Sequence, residues 1–238
     1  MHRRVKLAWT LALLGLAAAA QGRVPAPSAV PARAAAAVPV CVTNFPPYVS
    51  ADLPDGGSLT ALARRAFAVE GLTLQAIEAP WARALVLATH GDCLLLALWR
   101  NAERDALFSY SLPVAQMQLG LFVPGRPDAP LADHAHIAYQ RGSHLPPALT
   151  QGGYQLDPVV DMHPALQMLQ RGRVDAVFSE RASFEYLLDQ QPAPRPDIHW
   201  MSPALQIMPT HMAVSRKHPQ ARAWLEILDR EIRRSAHR

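Results

Sequence analysis

Apolar and polar positions along this chain recur in two rhythms. Residues 38–42 form a short β-branched run that predicts a strand, and residues 72–77 alternate with the period of two expected of another. Between them Leu59, Leu62, Ala63, Ala66 and Phe67 recur at the spacing of one helix face. Ser58 stands where a serine can cap that helix, and Gly71 closes it. Trp81, Ala84, Leu85 and Ala88 share one face of a second helix over 81–89. Residues 93–98 are continuously apolar, the mark of a strand buried on both faces. Residues 115–123 read as a further strand, after which Pro124-Gly125-Arg126-Pro127 breaks the pattern.

A second series follows the breaker. It predicts strands at 136–139, 159–160 and 174–178, and helices at 164–170 and 181–188. A Pro-rich stretch at 191–196 leads to strands at 198–201 and 206–215. Pro219 opens a last helix with Ala223, Trp224, Ile227, Leu228 and Ile232 on its apolar face. Repeated strand–helix units predict an α/β fold of mostly parallel sheets flanked by helices, not a sandwich. Each series is near the minimum size for its own core. The expected organisation is a first lobe over 38–124, a second over 125–203, and a return to the first lobe over 204–238. Strands at the breaker and near Pro203 would join the lobes, leaving a cleft at the carboxyl ends of the strands, where ligands bind in such folds.

The first 37 residues stand apart. His2-Arg3-Arg4-Val5-Lys6 is basic, the following run to Ala20 is apolar, and about 14 such residues are too few for a membrane span. This predicts a signal peptide over 1–20, with cleavage as late as residue 37 and an Ala/Pro-rich linker over 21–37. Val38-Pro39-Val40 before Cys41 lacks the small residue and leucine of a lipid-attachment site. The leader also changes the charge. The chain of 238 residues holds 23 Lys and Arg against 19 Asp and Glu. Arg3, Arg4, Lys6, Arg23 and Arg33 all precede residue 38, where no acid lies, so 18 bases face 19 acids in the mature chain, a net charge of −1. That removes the electrostatic case for nucleic-acid binding. The C-terminal Arg230, Arg233, Arg234 and Arg238 read as a solvated helix end suited to the helix dipole. Cys41 and Cys93, behind a secretory leader, are either one disulfide or two buried thiols. Scattered histidines offer no zinc-ligand spacing beside them, and nothing calls for a cofactor.

Several motifs stand in one order: Phe45-Pro46-Pro47-Tyr48, then Pro80-Trp81-Ala82-Arg83-Ala84-Leu85, then Glu103-Arg104 followed by Phe108-Ser109-Tyr110-Ser111-Leu112-Pro113. Gly142-Ser143 and Leu169-Gln170-Arg171-Gly172-Arg173-Val174-Asp175-Ala176 complete the series. Together they resemble the bacterial extracellular solute-binding proteins of the family 3 type, mainly polar amino-acid binders, over roughly residue 38 to the C-terminus. The resemblance implies a two-lobed periplasmic-binding-protein-like fold of the second type, with two crossover strands at the hinge. It implies a periplasmic, monomeric protein that captures a small polar or carboxylate-bearing solute and delivers it to an ABC permease or a membrane sensor, without catalysis. By position Arg104 would clamp a ligand carboxylate with its planar fork, and Glu180 would take an ammonium. Tyr48 would form an aromatic wall, and the turn at Ser143 and His144 would donate N–H groups, helped by a helix N-terminus.

The departures matter as much. Where the family carries Ser or Thr donors this chain reads Leu96-Ala97-Leu98-Trp99-Arg100, and Leu94 replaces a usual aspartate. Trp99 beside Arg100 points to a flatter or more acidic ligand held by stacking and charge. Trp81 reads as a helix-packing residue and His211 as a satisfied core histidine. Two other readings stay open: a dehydratase-like enzyme on the same fold, with Glu180 or His144 as general acid, and an interaction protein that kept the fold and lost its ligand.

Overall fold

The computed structural model describes residues 36–236, so the expected leader and nearly all of the linker lie outside the described residues. The chain begins with β1 (Ala37–Val42), α1 (Ser58–Val69), β2 (Thr73–Glu78), α2 (Trp81–His90) and β3 (Leu94–Trp99). It goes on through α3 (Ala102–Leu107), β4 (Phe108–Pro124), β5 (His136–Gln140), α4 (Pro147–Thr150) and β6 (Gln155–Val159). The last elements are α5 (Met162–Gln170), β7 (Ala176–Glu180), α6 (Arg181–Asp189), β8 (Ile198–Trp200), β9 (Gln206–Ser215) and α7 (Ala221–Ala236). Ala37, placed in the linker by its composition, already belongs to β1.

The strands run β2-β1-β3-β9-β4-β7-β5-β6, with β8 paired to β4. At one end β1 is parallel to β2 and β3; at the other β5 is parallel to β6 and β7. The long strands β4 and β9 run antiparallel to their neighbours and to each other. Pro39 has no N–H to give, and the β1–β3 ladder starts just after it, at Val40 opposite Leu94.

A period of two, reset by an irregularity in β3 between Leu95 and Leu98, lets one apolar run serve two layers. In β3, Leu94 and Leu96 join Phe67 of α1 and Trp224 of α7 on one face of the sheet. Leu95 and Leu98 join Ala84 and Ala88 of α2 on the other. The second lobe repeats this. Phe122, Ala138 and Val177 meet Leu166 of α5 and Phe184 of α6, while Leu121, Ile137 and Phe178 face the opposite side. Phe108 at the start of β4 lies in the first core and Leu119 in the second; along β9, Met208 lies in the second and Met212 in the first. The chain therefore crosses between the cores twice, inside β4 and inside β9. Pro124-Gly125-Arg126-Pro127 only ends β4, beyond the crossing.

Several local expectations are corrected. β4 starts at Phe108, not 115, because the strand continues through Pro113 with register shifts on both sides of it. Ser58 is the first helical residue rather than the cap. The N-cap is Gly57, at φ 92°, and a Cβ there would lie 2.6 Å from the Tyr48 carbonyl oxygen. On α7 the buried apolar residues are Ala221, Trp224, Leu225 and Leu228, and Ala223 is exposed. Arg230 pairs with Glu70 and Arg234 with the buried Glu231, while Arg238 lies outside the described residues. Cys41 in β1 and Cys93 at the foot of β3 form a disulfide across neighbouring strands, with Cα atoms 5.5 Å apart.

Candidate functional site

The cleft between the lobes is bordered by the ends of strands. From the first lobe, β1 gives Val42 and then the turn that carries Phe45 and Tyr48. That turn is fastened to the start of α1, because Ser58 N donates to the Pro47 carbonyl and Leu59 N to the Tyr48 carbonyl. Gly57 is needed for the close approach. β3 delivers Trp99 at its carboxyl end. Asn101 then caps α3, its side chain accepting from Arg104 N at 2.8 Å, which sets Arg104 on the first turn. From the second lobe, β5 delivers Gln140 and the Gly142-Ser143 turn, and β7 delivers Glu180.

Arg104 is only 5% exposed. Its guanidinium donates to the Trp99 carbonyl at 2.8 Å and, across the gap, to the Gly142 carbonyl at 2.8 Å. Its carbon lies 5.8 Å from the Trp81 ring centre. No carboxylate answers it among the described residues, and burial lowers its pKa from 12.5. Glu180 is 4% exposed. One oxygen caps α6 by accepting from Ser183 N at 2.8 Å, and the other accepts from the Tyr48 hydroxyl across the gap at 3.4 Å. Burial raises its pKa against the main-chain N–H groups of Ser183 and Ala182 and the Tyr48 hydroxyl, which lower it. Tyr48 moves up in turn, first from burial and then from Glu180. The two lobes thus present opposite buried charges, each held by neutral hydrogen bonds and neither paired with an ion among the described residues.

Three cavities line up between the lobes. The outer one, about 370 Å³, is walled by Asn44, Asp52, Glu78, Trp81, Gln140 and Asp161 among others. Behind it lies a cavity of about 30 Å³ lined by Phe45, Trp81, Trp99 and Ser143, and another of about 20 Å³ that reaches Glu180. The indole N–H groups of Trp81 and Trp99 are both buried without an acceptor. A third direct link crosses the gap, from the Asn44 amide to Asp161 at 3.2 Å.

The structure brings Trp99, Ser143 and Glu180 to these cavities, with Arg104 touching the residues of the inner wall and Tyr48 joined to the site through its hydroxyl on Glu180. Arg100 and His144 go elsewhere. Arg100 points out of the cleft into a two-point pair with Asp105, at 3.0 and 3.1 Å, over the Tyr110 ring. His144 Nε2 is bonded to the Gln206 side chain at 2.9 Å, in the second lobe. The expected N–H donors of this turn are also reassigned. Ser143 N already donates to the Gln140 carbonyl, and Gly142 offers its carbonyl, not its N–H, to Arg104. The short α4 that follows starts on Pro146 and Pro147, which have no N–H to offer an anion. His211 is the core residue expected, with Nδ1 against the Ser111 carbonyl. Trp81 was read as packing alone; it also walls the outer and inner cavities. Asn44, Gln140 and Asp161 carried no signal, since ordinary loop polarity looks the same. An Asn-capped short helix at 101–104 was legible and would have placed Arg104.

This architecture is that of the two-lobed periplasmic-binding-protein-like folds. An arginine-bound variant of ArgBP from T. maritima matches it with a TM-score of 0.72 and 18% identity, covering 84% of this chain and 95% of that one. AbpA from Streptococcus pneumoniae, an amino acid ABC transporter substrate-binding protein bound to L-arginine, gives 0.69 and 20%, covering 84% and 89%. The GluR0 ligand-binding core from Nostoc punctiforme, in complex with L-glutamate, gives 0.69 and 17%, covering 84% and 93%. At these identities the likeness establishes the fold. No protein-family model and no curated protein sequence matches the chain.

Proposed function

We propose that this protein captures a small polar, carboxylate-bearing, amino-acid-like solute in the inter-lobe cleft and carries out no chemistry on it. The lobes close about β4 and β9, and the loaded form is handed to an ABC permease or read by a membrane sensor. One observation carries the reading: Arg104 from one lobe and Glu180 from the other are buried, opposite in charge and without ionic partners among the described residues. Leaving a buried charge unpaired is costly, and a zwitterion placed between them offsets both costs at once. A ligand that bridges the lobes also selects the closed form. The neighbours named above are binding proteins and ligand-binding cores, which supports this reading over an enzymatic one. Export to the periplasm rests on the leader sequence, and action as a monomer on the family resemblance. Among the described residues no helix is long and apolar enough to cross a membrane.

The test is thermal unfolding of the mature chain with each common amino acid and small dicarboxylate. A true ligand at about 100 times its Kd stabilises the fold by about 2.7 kcal/mol. Arg104→Lys keeps the charge and loses the fork, so affinity for the best ligand should fall about ten-fold or more. Arg100→Ala should leave it unchanged. A panel without a single stabilising compound, or a loss that follows Arg100 and spares Arg104, would overturn the assignment.

A further inference from the structure

The cleft is polarised from inside to outside. At its inner end two indoles line one small cavity, and neither Nε1–H has an acceptor. Buried donors in folded proteins are partnered in the great majority of cases. An indole only donates, so its missing partner is an acceptor such as an oxygen. The Trp81 nitrogen lies over Gly142, where an added Cβ would come within 3.5 Å of it, and the Arg104 guanidinium lies against the same ring. These donors stand in for the Ser and Thr hydroxyls that this chain lacks at 96–100.

The outer end has the opposite character. Its wall holds Asp52, Glu78 and Asp161, with no Lys or Arg among the lining residues. Asp161 is taken up by Asn44, His163 and the start of α5. Asp52 and Glu78 are exposed and make no ion pair among the described residues. Trp81 walls both the outer and the inner cavity, so a guest in contact with it has access to both. A cleft lined by one sign of charge concentrates guests of the other sign.

We infer that the guest is a cationic amino acid, arginine- or lysine-like, lodged with its carboxylate toward the Trp81 and Trp99 N–H groups and its second positive charge at the Asp52 and Glu78 mouth. This rests on the solute-binding reading and names the substrate class of that site. The arginine- and glutamate-bound neighbours share one fold, so the fold does not choose between them; the lining does. Arg100, the residue that pointed to an acidic ligand, does not face the cleft.

Titration calorimetry of the mature chain with L-arginine, L-lysine, L-glutamine, L-glutamate and 1,4-diaminobutane tests this. L-Arginine or L-lysine should bind about ten-fold more tightly than L-glutamine, a difference of about 1.4 kcal/mol. Added salt should narrow that ratio, as should the double variant Asp52→Asn with Glu78→Gln, whose exposed positions leave the fold intact. In nitrogen-labelled protein the indole signals of Trp81 and Trp99, assigned through Trp81→Phe and Trp99→Phe, should move on adding L-arginine. Equal or tighter binding of L-glutamine or L-glutamate overturns the inference and leaves the solute-binding reading standing. So does a diamine that binds as tightly as L-arginine, or indole signals that stay still while L-arginine binds. If no compound binds, both readings fall together.

Discussion

Arg104 gives two of its five N–H donors to main-chain carbonyls, one from each lobe, and meets no carboxylate. Glu180 mirrors it, as a carboxylate that meets no cation. The family resemblance marked both residues, through the motif order around Glu103-Arg104 and the Gly172 turn. It misplaced Arg100, because whether a neighbouring guanidinium turns to the cleft or to Asp105 depends on the direction of α3. Glu180 has a testable consequence at its own scale. Burial lifts its carboxyl above 4.5. Between the ordinary value and the raised one, the folded chain holds a proton that the unfolded chain has released. Stability from this group therefore falls as pH rises from 4.5 through that window, the reverse of an ion-paired carboxylate. Glu180→Gln keeps an acceptor for Ser183 N and removes the charge. The unfolding temperature of the ligand-free variant should therefore decline less steeply above that pH than the wild type does. Matching slopes in the two proteins would show that Glu180 does not carry this cost.

At the scale of elements, the strands and helices with a clean period were legible, and the errors cluster where one residue works against its neighbours. Pro113 interrupts the pattern of β4, yet the strand runs on past it, since Phe108 to Tyr110 have β9 to pair with. The short α3 was missed because six residues show no full helical period, and only its Asn101 cap betrays it. The two cysteines were a pair on paper and a bond only once β1 and β3 lay side by side. The Cys41–Cys93 bridge closes a sequence separation of 52 residues around α1, β2 and α2. By loop-closure entropy such a bridge contributes about 2–4 kcal/mol. The double variant Cys41→Ala with Cys93→Ala should lose that much in urea unfolding while keeping its helical signal. Loss of much less would mean that the unfolded chain is already restrained in this region.

At the scale of the molecule, hydrogen bonds among the described residues tie the lobes together, from Asn44 to Asp161, Tyr48 to Glu180 and Arg104 to Gly142. In the closure proposed above, β4 and β9 are the strands about which the lobes would turn, since both cores draw on them. Closure is measurable with spin labels on Val69→Cys of α1 and Arg171→Cys after α5, both exposed. The distance distribution should narrow to one population on adding L-arginine, because a ligand that bridges the lobes favours one state. A distribution that does not respond to a ligand bound with measurable heat would rule out closure as the mechanism.

The sequence by itself determined the α/β class, the two series of units, an excess of basic residues confined to the first 37 positions, and a motif order whose family resemblance pointed to Arg104, Glu180 and Tyr48. All of these are local signals of period, composition and spacing. The tertiary structure alone decided where the chain crosses between lobes, which arginine is buried, that Cys41 and Cys93 meet, and that two indole donors and a row of carboxylates share one cleft. Those facts depend on which distant residues become neighbours when the sheet assembles, and no stretch of chain contains that information by itself.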